Sequence, residues 1–141
     1  MRSAVRGLAS IGALAALASA WGCGGSATVQ ADHVVRITVA DFKIRAPKHV
    51  PAGDVEFVVH NGGPDDHEFI VVRADADLPL RADGVTADED AFKKLIAGVL
   101  EPGTPGKTRH LRVHLRPGRY ELICNMSGHY LGGMRAQIEV S

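Results

Sequence analysis

Apolar and polar residues alternate with a period of two through most of this chain, the pattern of strands with one buried face. Val34 to Val39 and Val55 to Val59 read as strands, the second with Val55, Phe57 and Val59 on one face and Glu56, Val58 and His60 on the other. Leu111, Val113 and Leu115 alternate with Arg112 and His114, and Tyr120, Leu122 and Cys124 alternate with Glu121 and Ile123. In the last run Met134, Ala136, Ile138 and Val140 share a face opposite Arg135, Gln137 and Glu139. Phe69 to Val72 is a short continuous apolar run. Turn residues separate these runs at Pro51-Ala52-Gly53, Asn61-Gly62-Gly63-Pro64, Pro102-Gly103, Pro105-Gly106 and Pro117-Gly118. Short strands with such punctuation predict an all-β sandwich or barrel. One segment differs: Thr86-Ala87-Asp88-Glu89 has capping-box form, and Phe92, Leu95, Ile96 and Val99 follow at helical spacing. This predicts a single inserted helix whose apolar stripe packs on the sandwich.

The first residues follow another logic. Arg2 and Arg6 precede an unbroken run of small and apolar residues, Leu8 to Ala18, too short to span a bilayer as a stable anchor. The expected organisation is an export signal over 1–22, a flexible tether over 23–31 and a folded domain over 32–141. Two processing routes fit. Ala18-Ser19-Ala20 suits ordinary cleavage, whereas Ala20-Trp21-Gly22-Cys23 has the form of a bacterial lipoprotein box ending in an acylated Cys23, and Gly24-Gly25-Ser26 would tether the domain to a membrane. The expected location is outside the cytoplasm, in the periplasm or cell envelope.

The 141 residues hold 16 basic and 16 acidic side chains; losing Arg2 and Arg6 with the leader leaves 14 against 16, a balance of −2 that does not suit nucleic-acid binding. Of the two cysteines, only Cys124 belongs to the folded domain once Cys23 is acylated, so no disulfide framework is expected. A lone thiol in an oxidising compartment needs protection or a job, and metal ligation supplies both.

Cys124, His129 and Met134 stand in a C-x4-H-x4-M loop between two strands, with Gly128, Gly132 and Gly133 available for tight backbone geometry. Thiolate, imidazole and a weak thioether suit copper in a trigonal site with a long axial bond, completed by a second histidine from elsewhere. His67, after the Asn61 to Asp66 turn and at the start of an apolar strand, is the candidate. Singly, each residue has a plainer reading as core or surface. Together, four suitable types in the right order point to a metal site. His33, His49, His60, His110 and His114 lack partners at ligand spacing and read as surface.

These residues resemble the type 1 (blue) copper site of the cupredoxin family, over roughly residues 32 to 141, and the Cys124 to Met134 spacing is similar to that of rusticyanin. The resemblance implies a Greek-key β-sandwich, one copper with His67, Cys124 and His129 as equatorial ligands and Met134 as axial ligand, and an electron carrier in place of an enzyme. It further implies that His129 points an edge to the surface, where Met126, Tyr130 and Leu131 would form an apolar docking patch. The partner would be a redox protein such as a cytochrome or a copper oxidase, met by a monomer. Two positions depart from the family pattern. Glu68 and Asn125 replace an Asn after the first histidine and a Ser or Thr after the cysteine, and Glu68 could approach copper as an oxygen ligand.

Other copper proteins fit less well. Copper enzymes with similar domains carry a histidine beside the cysteine that leads to a second centre, whereas Cys124 is flanked by Ile123 and Asn125, and a binuclear site needs a second cysteine in the loop. The alternative that stays open is a periplasmic copper-binding or trafficking protein.

Overall fold

The computed structural model describes residues 31–141. The expected leader over 1–22, the acylation site Cys23 and the tether through residue 30 lie outside the described residues. The described strands form two stacked sheets. β1 (His33–Ala40), β2 (Lys43–Arg45), β4 (Gly53–Asn61) and β7 (Thr108–Leu115) make one, in the order β2-β1-β4-β7. β3 (His49–Val50), β5 (His67–Arg73), β6 (Ile96–Gly103), β8 (Gly118–Ile123) and β9 (Arg135–Val140) make the other, in the order β3-β9-β8-β5-β6. β1 runs parallel to β4, and β4 antiparallel to β7. The chain crosses between sheets at β2 to β3, β3 to β4, β4 to β5, β6 to β7 and β7 to β8, giving the Greek-key sandwich that the resemblance implied.

Register explains the core. Val35 pairs with Phe57 and Ile37 with Val59, while Val55 pairs with Val113, so alternate residues of three strands line one face. Against them lie Phe69 and Val71 of β5, Leu122 of β8 and Ile138 of β9. Phe57 and Phe69 meet edge to face across the sheets, centroids 5.5 Å apart. Cys124 and Met134 belong to this same cluster, just beyond the end of β8 and just before the start of β9.

The unbroken apolar run of β5 has a different cause from alternation. Phe69 and Val71 face the sandwich interior, while Ile70 and Val72 face outward into a second cluster with Ile123, Leu78, Ala87, Phe92 and Tyr130. A strand buried on both faces has no polar side to show. The cover is the segment between β5 and β6.

That segment contains the inserted helix, but only one turn of it: α1 (Glu89–Phe92), continued by a 3-10 turn over Lys93–Leu95. Ile96 and Val99, expected on the helix, lie in β6 and pair with Val72 and Ile70. β-branched residues beside a free sheet edge favour the ladder, and Gly98 weakens a helix there. The capping box does not form either. Asp88 is the N-cap without a side-chain bond, and Thr86 is held from the other side by Asp83, whose Oδ1 accepts from the N–H groups of Val85 and Thr86 at 2.8 and 3.0 Å.

Phe92 is therefore the anchor of the insertion, 2% exposed, while Leu95 is 47% exposed. Phe92→Ala should cost about 3–5 kcal/mol of unfolding free energy in chemical denaturation, as for other buried aromatics. Leu95→Ala should change it by less than about 0.5 kcal/mol. A helix running through Val99 would make both losses large.

Candidate metal centre

Three donor side chains from three elements converge at one end of the sandwich. His67 opens β5, Cys124 follows β8, and His129 sits on the loop that leads to β9. One donor atom from each lies within 4.8 Å of the others. Cys124 Sγ is 3.4 Å from His129 Nδ1, and the two imidazole centroids are 5.2 Å apart. His67 and Cys124 are fully buried and His129 is partly exposed.

The loop that brings His129 to Cys124 is closed by its own backbone. Cys124 N donates to Met134 O at 3.1 Å, Met134 N to His129 O at 2.9 Å, and His129 N to Met126 O at 2.8 Å. Gly128 and Gly133, at φ of +80° and +99°, supply left-handed turns that other residues adopt only with strain. Gly132 serves a different purpose, since a Cβ there would collide with the ring of Phe42. Met134 is buried beside Cys124 in the core.

The residues fit a metal. His67 Nε2 stands 3.1 Å from Asp41 Oδ1, and a carboxylate accepts, so the ring hydrogen belongs on Nε2 and Nδ1 keeps a lone pair. That Nδ1 has no hydrogen-bond partner although it is buried, a situation that ordinarily costs about 1–3 kcal/mol. An orphaned nitrogen lone pair, a second imidazole and a thiol together make a mixed set of two nitrogens and one soft sulfur, which suits copper.

Burial pushes the Cys124 thiol above its ordinary range. Hydrogen bonds from the N–H groups of Met126 and Glu68 and the charge of Arg109 act in the opposite sense, and the Glu68 carboxylate adds to the rise. The surroundings are thus built to receive a sulfur anion once a cation compensates it.

Glu68 and Asn125, the two departures from the family pattern, have taken on a different tie. Glu68 Oε1 accepts from Asn125 N at 2.6 Å, so its carboxylate is bonded to the backbone, and it is absent from the group of converging donors. Burial raises its pKa and the Asn125 bond lowers it. The Asn125 side chain turns to the insertion, accepting from Ala87 N at 2.6 Å and donating to Ala87 O and Glu89 Oε1 at 3.0 and 2.7 Å. Arg109, which sequence reasoning passed over, donates from Nη2 to His67 O at 2.9 Å, crossing Gly103 where a Cβ would collide with it.

Around His129 the surface differs from expectation. Tyr130 is 3% exposed, because its hydroxyl finds partners inside: it accepts from Leu78 N at 3.2 Å and from Arg135 Nη1 at 3.0 Å. It packs in the second core and is no part of an exposed patch. Leu131 is 57% exposed, and Met126 is partly buried against the main core. The large ring beside His129 is instead Phe42, 52% exposed, at 5.4 Å and 61°. Its only signal in the sequence is an aromatic between two strands where a turn residue is usual.

No family model matches the chain. Among curated proteins it is similar to the copper-resistant cuproprotein CopI of Vibrio cholerae serotype O1, 33% identical over 116 residues that cover 79% of this chain and 67% of the relative. Among solved structures it superposes on reduced auracyanin from Roseiflexus castenholzii with a TM-score of 0.61 at 19% identity, covering 79% of this chain and 99% of that one. Auracyanin B gives 0.63 at 18%, covering 79% and 91%. Rusticyanin from Thiobacillus ferrooxidans gives 0.54 at 19%, covering 80% and 84%. At these identities the structures show the shared fold.

Since burial keeps the free thiol protonated, loading with Cu(I) at neutral pH should release one proton from Cys124, and the observed affinity should rise about tenfold per pH unit. A pH-stat titration measures this directly. Cys124→Ala should abolish the release.

Proposed function

The chain belongs to the cupredoxin family, with copper as its cofactor, and from that premise we propose that it carries single electrons between redox partners outside the cytoplasm. In this reading His67, Cys124 and His129 would hold the metal, with Met134 as a weak further donor. The observation that carries it is the asymmetry of exposure: three donors are buried, while His129 reaches the surface. Bound copper supplies the one-electron couple. The protein residues keep one donor arrangement for both oxidation states, exclude water from the thiolate and leave one ring edge for a partner. Four protein donors leave no open position for a substrate, which favours a carrier over a catalyst.

The partner would be a cytochrome or a copper oxidase, docking transiently on the apolar surface formed by Phe42, Leu131 and the exposed edge of Met126 around His129. Among the described residues no helix is long and apolar enough to cross a membrane. Membrane attachment is assigned to acylated Cys23, where two or three lipid chains suffice for stable anchoring.

A second reading has an observation of its own. The similarity to a copper-resistant cuproprotein favours a role in handling copper itself, by binding it in the envelope. The two separate on rates: a carrier exchanges electrons quickly and retains its metal, whereas a trafficking protein hands copper to a chelator or acceptor protein.

The oxidised copper-loaded domain should be intensely coloured by thiolate-to-copper charge transfer, and Cys124→Ala should abolish the colour. Met134→Leu should keep copper and colour while raising the reduction potential, because a weak donor that favours Cu(II) is gone. A colourless Cu(II) form of folded protein would overturn the assignment. Intact mass of the mature protein tests the anchor, distinguishing acylated Cys23 from a free chain starting at Trp21.

A further inference from the structure

Two adjacent residues outside the donor set touch both of its imidazoles. Asp41 and Phe42 form the turn between β1 and β2. Asp41 Oδ1 accepts from His67 Nε2 at 3.1 Å, and the Phe42 ring meets the His129 ring edge to face at 5.4 Å.

The surrounding backbone is shaped to admit this turn. Phe42 has a φ of +55° and is, among the described residues, the one non-glycine residue with positive φ. A bulky aromatic there costs of order 1 kcal/mol, so the position keeps the ring in spite of strain. On the ligand loop, Gly132 leaves space that a Cβ would take from the Phe42 ring. On the other side, a Cβ at Gly63 would lie 2.9 Å from both Asp41 Oδ1 and His67 Nε2. Two glycines on two loops thus make room for the two contacts of a single turn.

We propose that the Asp41-Phe42 turn is a clamp that positions both histidine donors before the metal arrives. Asp41 holds His67 with its hydrogen on Nε2, which aims the Nδ1 lone pair at Cys124, and adds a negative charge next to the centre. Phe42 braces the partly exposed His129 ring so that it does not swing into solvent. A carboxylate behind a ligating imidazole fixes its tautomer and raises its basicity. The role in metal binding rests on the proposed donor set, whereas the contacts with the rings can be tested on the metal-free protein.

The first test is NMR of the metal-free full domain with 15N-labelled histidine. The wild type should show a His67 Nε2–H proton slowed in exchange; Asp41→Ala should lose it and Asp41→Asn, which retains an acceptor, should keep it. An unchanged His67 signal in Asp41→Ala overturns the first arm of the clamp. In the copper-loaded protein, Asp41→Asn should raise the reduction potential because a negative charge near the metal is gone, and Asp41→Ala should also weaken Cu(I) affinity about tenfold or more. A potential unchanged in Asp41→Asn refutes the charge effect.

Phe42→Ala should speed transfer of copper to a chelator about 2- to 10-fold, the worth of one aromatic pair, with Phe42→Tyr restoring the slow rate. Its metal-free melting temperature should change little, since the ring is 52% exposed. Unchanged transfer, or faster transfer that merely follows a lower melting temperature, overturns the second arm. If the wild type takes up no copper at all, the donor-set reading fails, and the His67 resonance still decides the Asp41 contact by itself.

Discussion

A buried imidazole nitrogen without a hydrogen-bond partner faces a buried thiol whose ionisation is resisted by its surroundings, and the rest of the structure is arranged around that meeting. Neither group is favourable there alone. What keeps them in place is a set of ties to their backbones. Arg109 holds the His67 carbonyl, Glu68 holds the Asn125 N–H, and the Cys124 and Met134 backbones are bonded to one another. A donor set tied to the scaffold through its backbone has little freedom to rearrange.

Stiffness behind the site comes from burying both faces of the second sheet. The inner faces of β5 and β8 join the sandwich core, and their outer faces carry Ile70, Val72 and Ile123 under the insertion. The same insertion receives Asn125, the residue after the thiol, through three hydrogen bonds to Ala87 and Glu89. The loop around Cys124 is thus pinned at Asn125, leaving His129 as the partly exposed donor.

Burial, more than residue type, separates a ligand from an ordinary histidine in this protein. On the outer face of the first sheet His114 pairs with Asp54 at 2.7 Å and His110 lies 3.4 Å from Glu56, which also meets Arg112. The imidazoles and the guanidinium in these contacts face water, where even a full ion pair is worth about 0–1 kcal/mol. The His67–Asp41 pair at 3.1 Å has similar geometry, but its imidazole is wholly buried and its far nitrogen has nothing else to bond. The same contact that decorates a surface on one sheet orients a donor at the end of the other.

The sequence by itself was sufficient for an all-β sandwich or barrel, because a period of two with turns at Pro-Gly and Asn-Gly pairs is a local property of the chain. It was sufficient also for naming Cys124 and His129, which share one short loop, and His67, which begins an apolar strand after a turn, three residues whose donor atoms the fold brings together. Local periodicity failed at Phe92 to Val99, where helical spacing and a strand pattern coincide over a few residues and the edge of β5 settled the outcome. It failed again at Tyr130, whose hydroxyl is drawn inward by Leu78 and Arg135, neither adjacent in sequence. Only the tertiary structure could bring Asp41, Phe42, Arg109 and the insertion to the site. Their contacts link residues 26 to 87 positions apart, and no spacing along a chain encodes which distant turns will meet once two sheets close on a shared core.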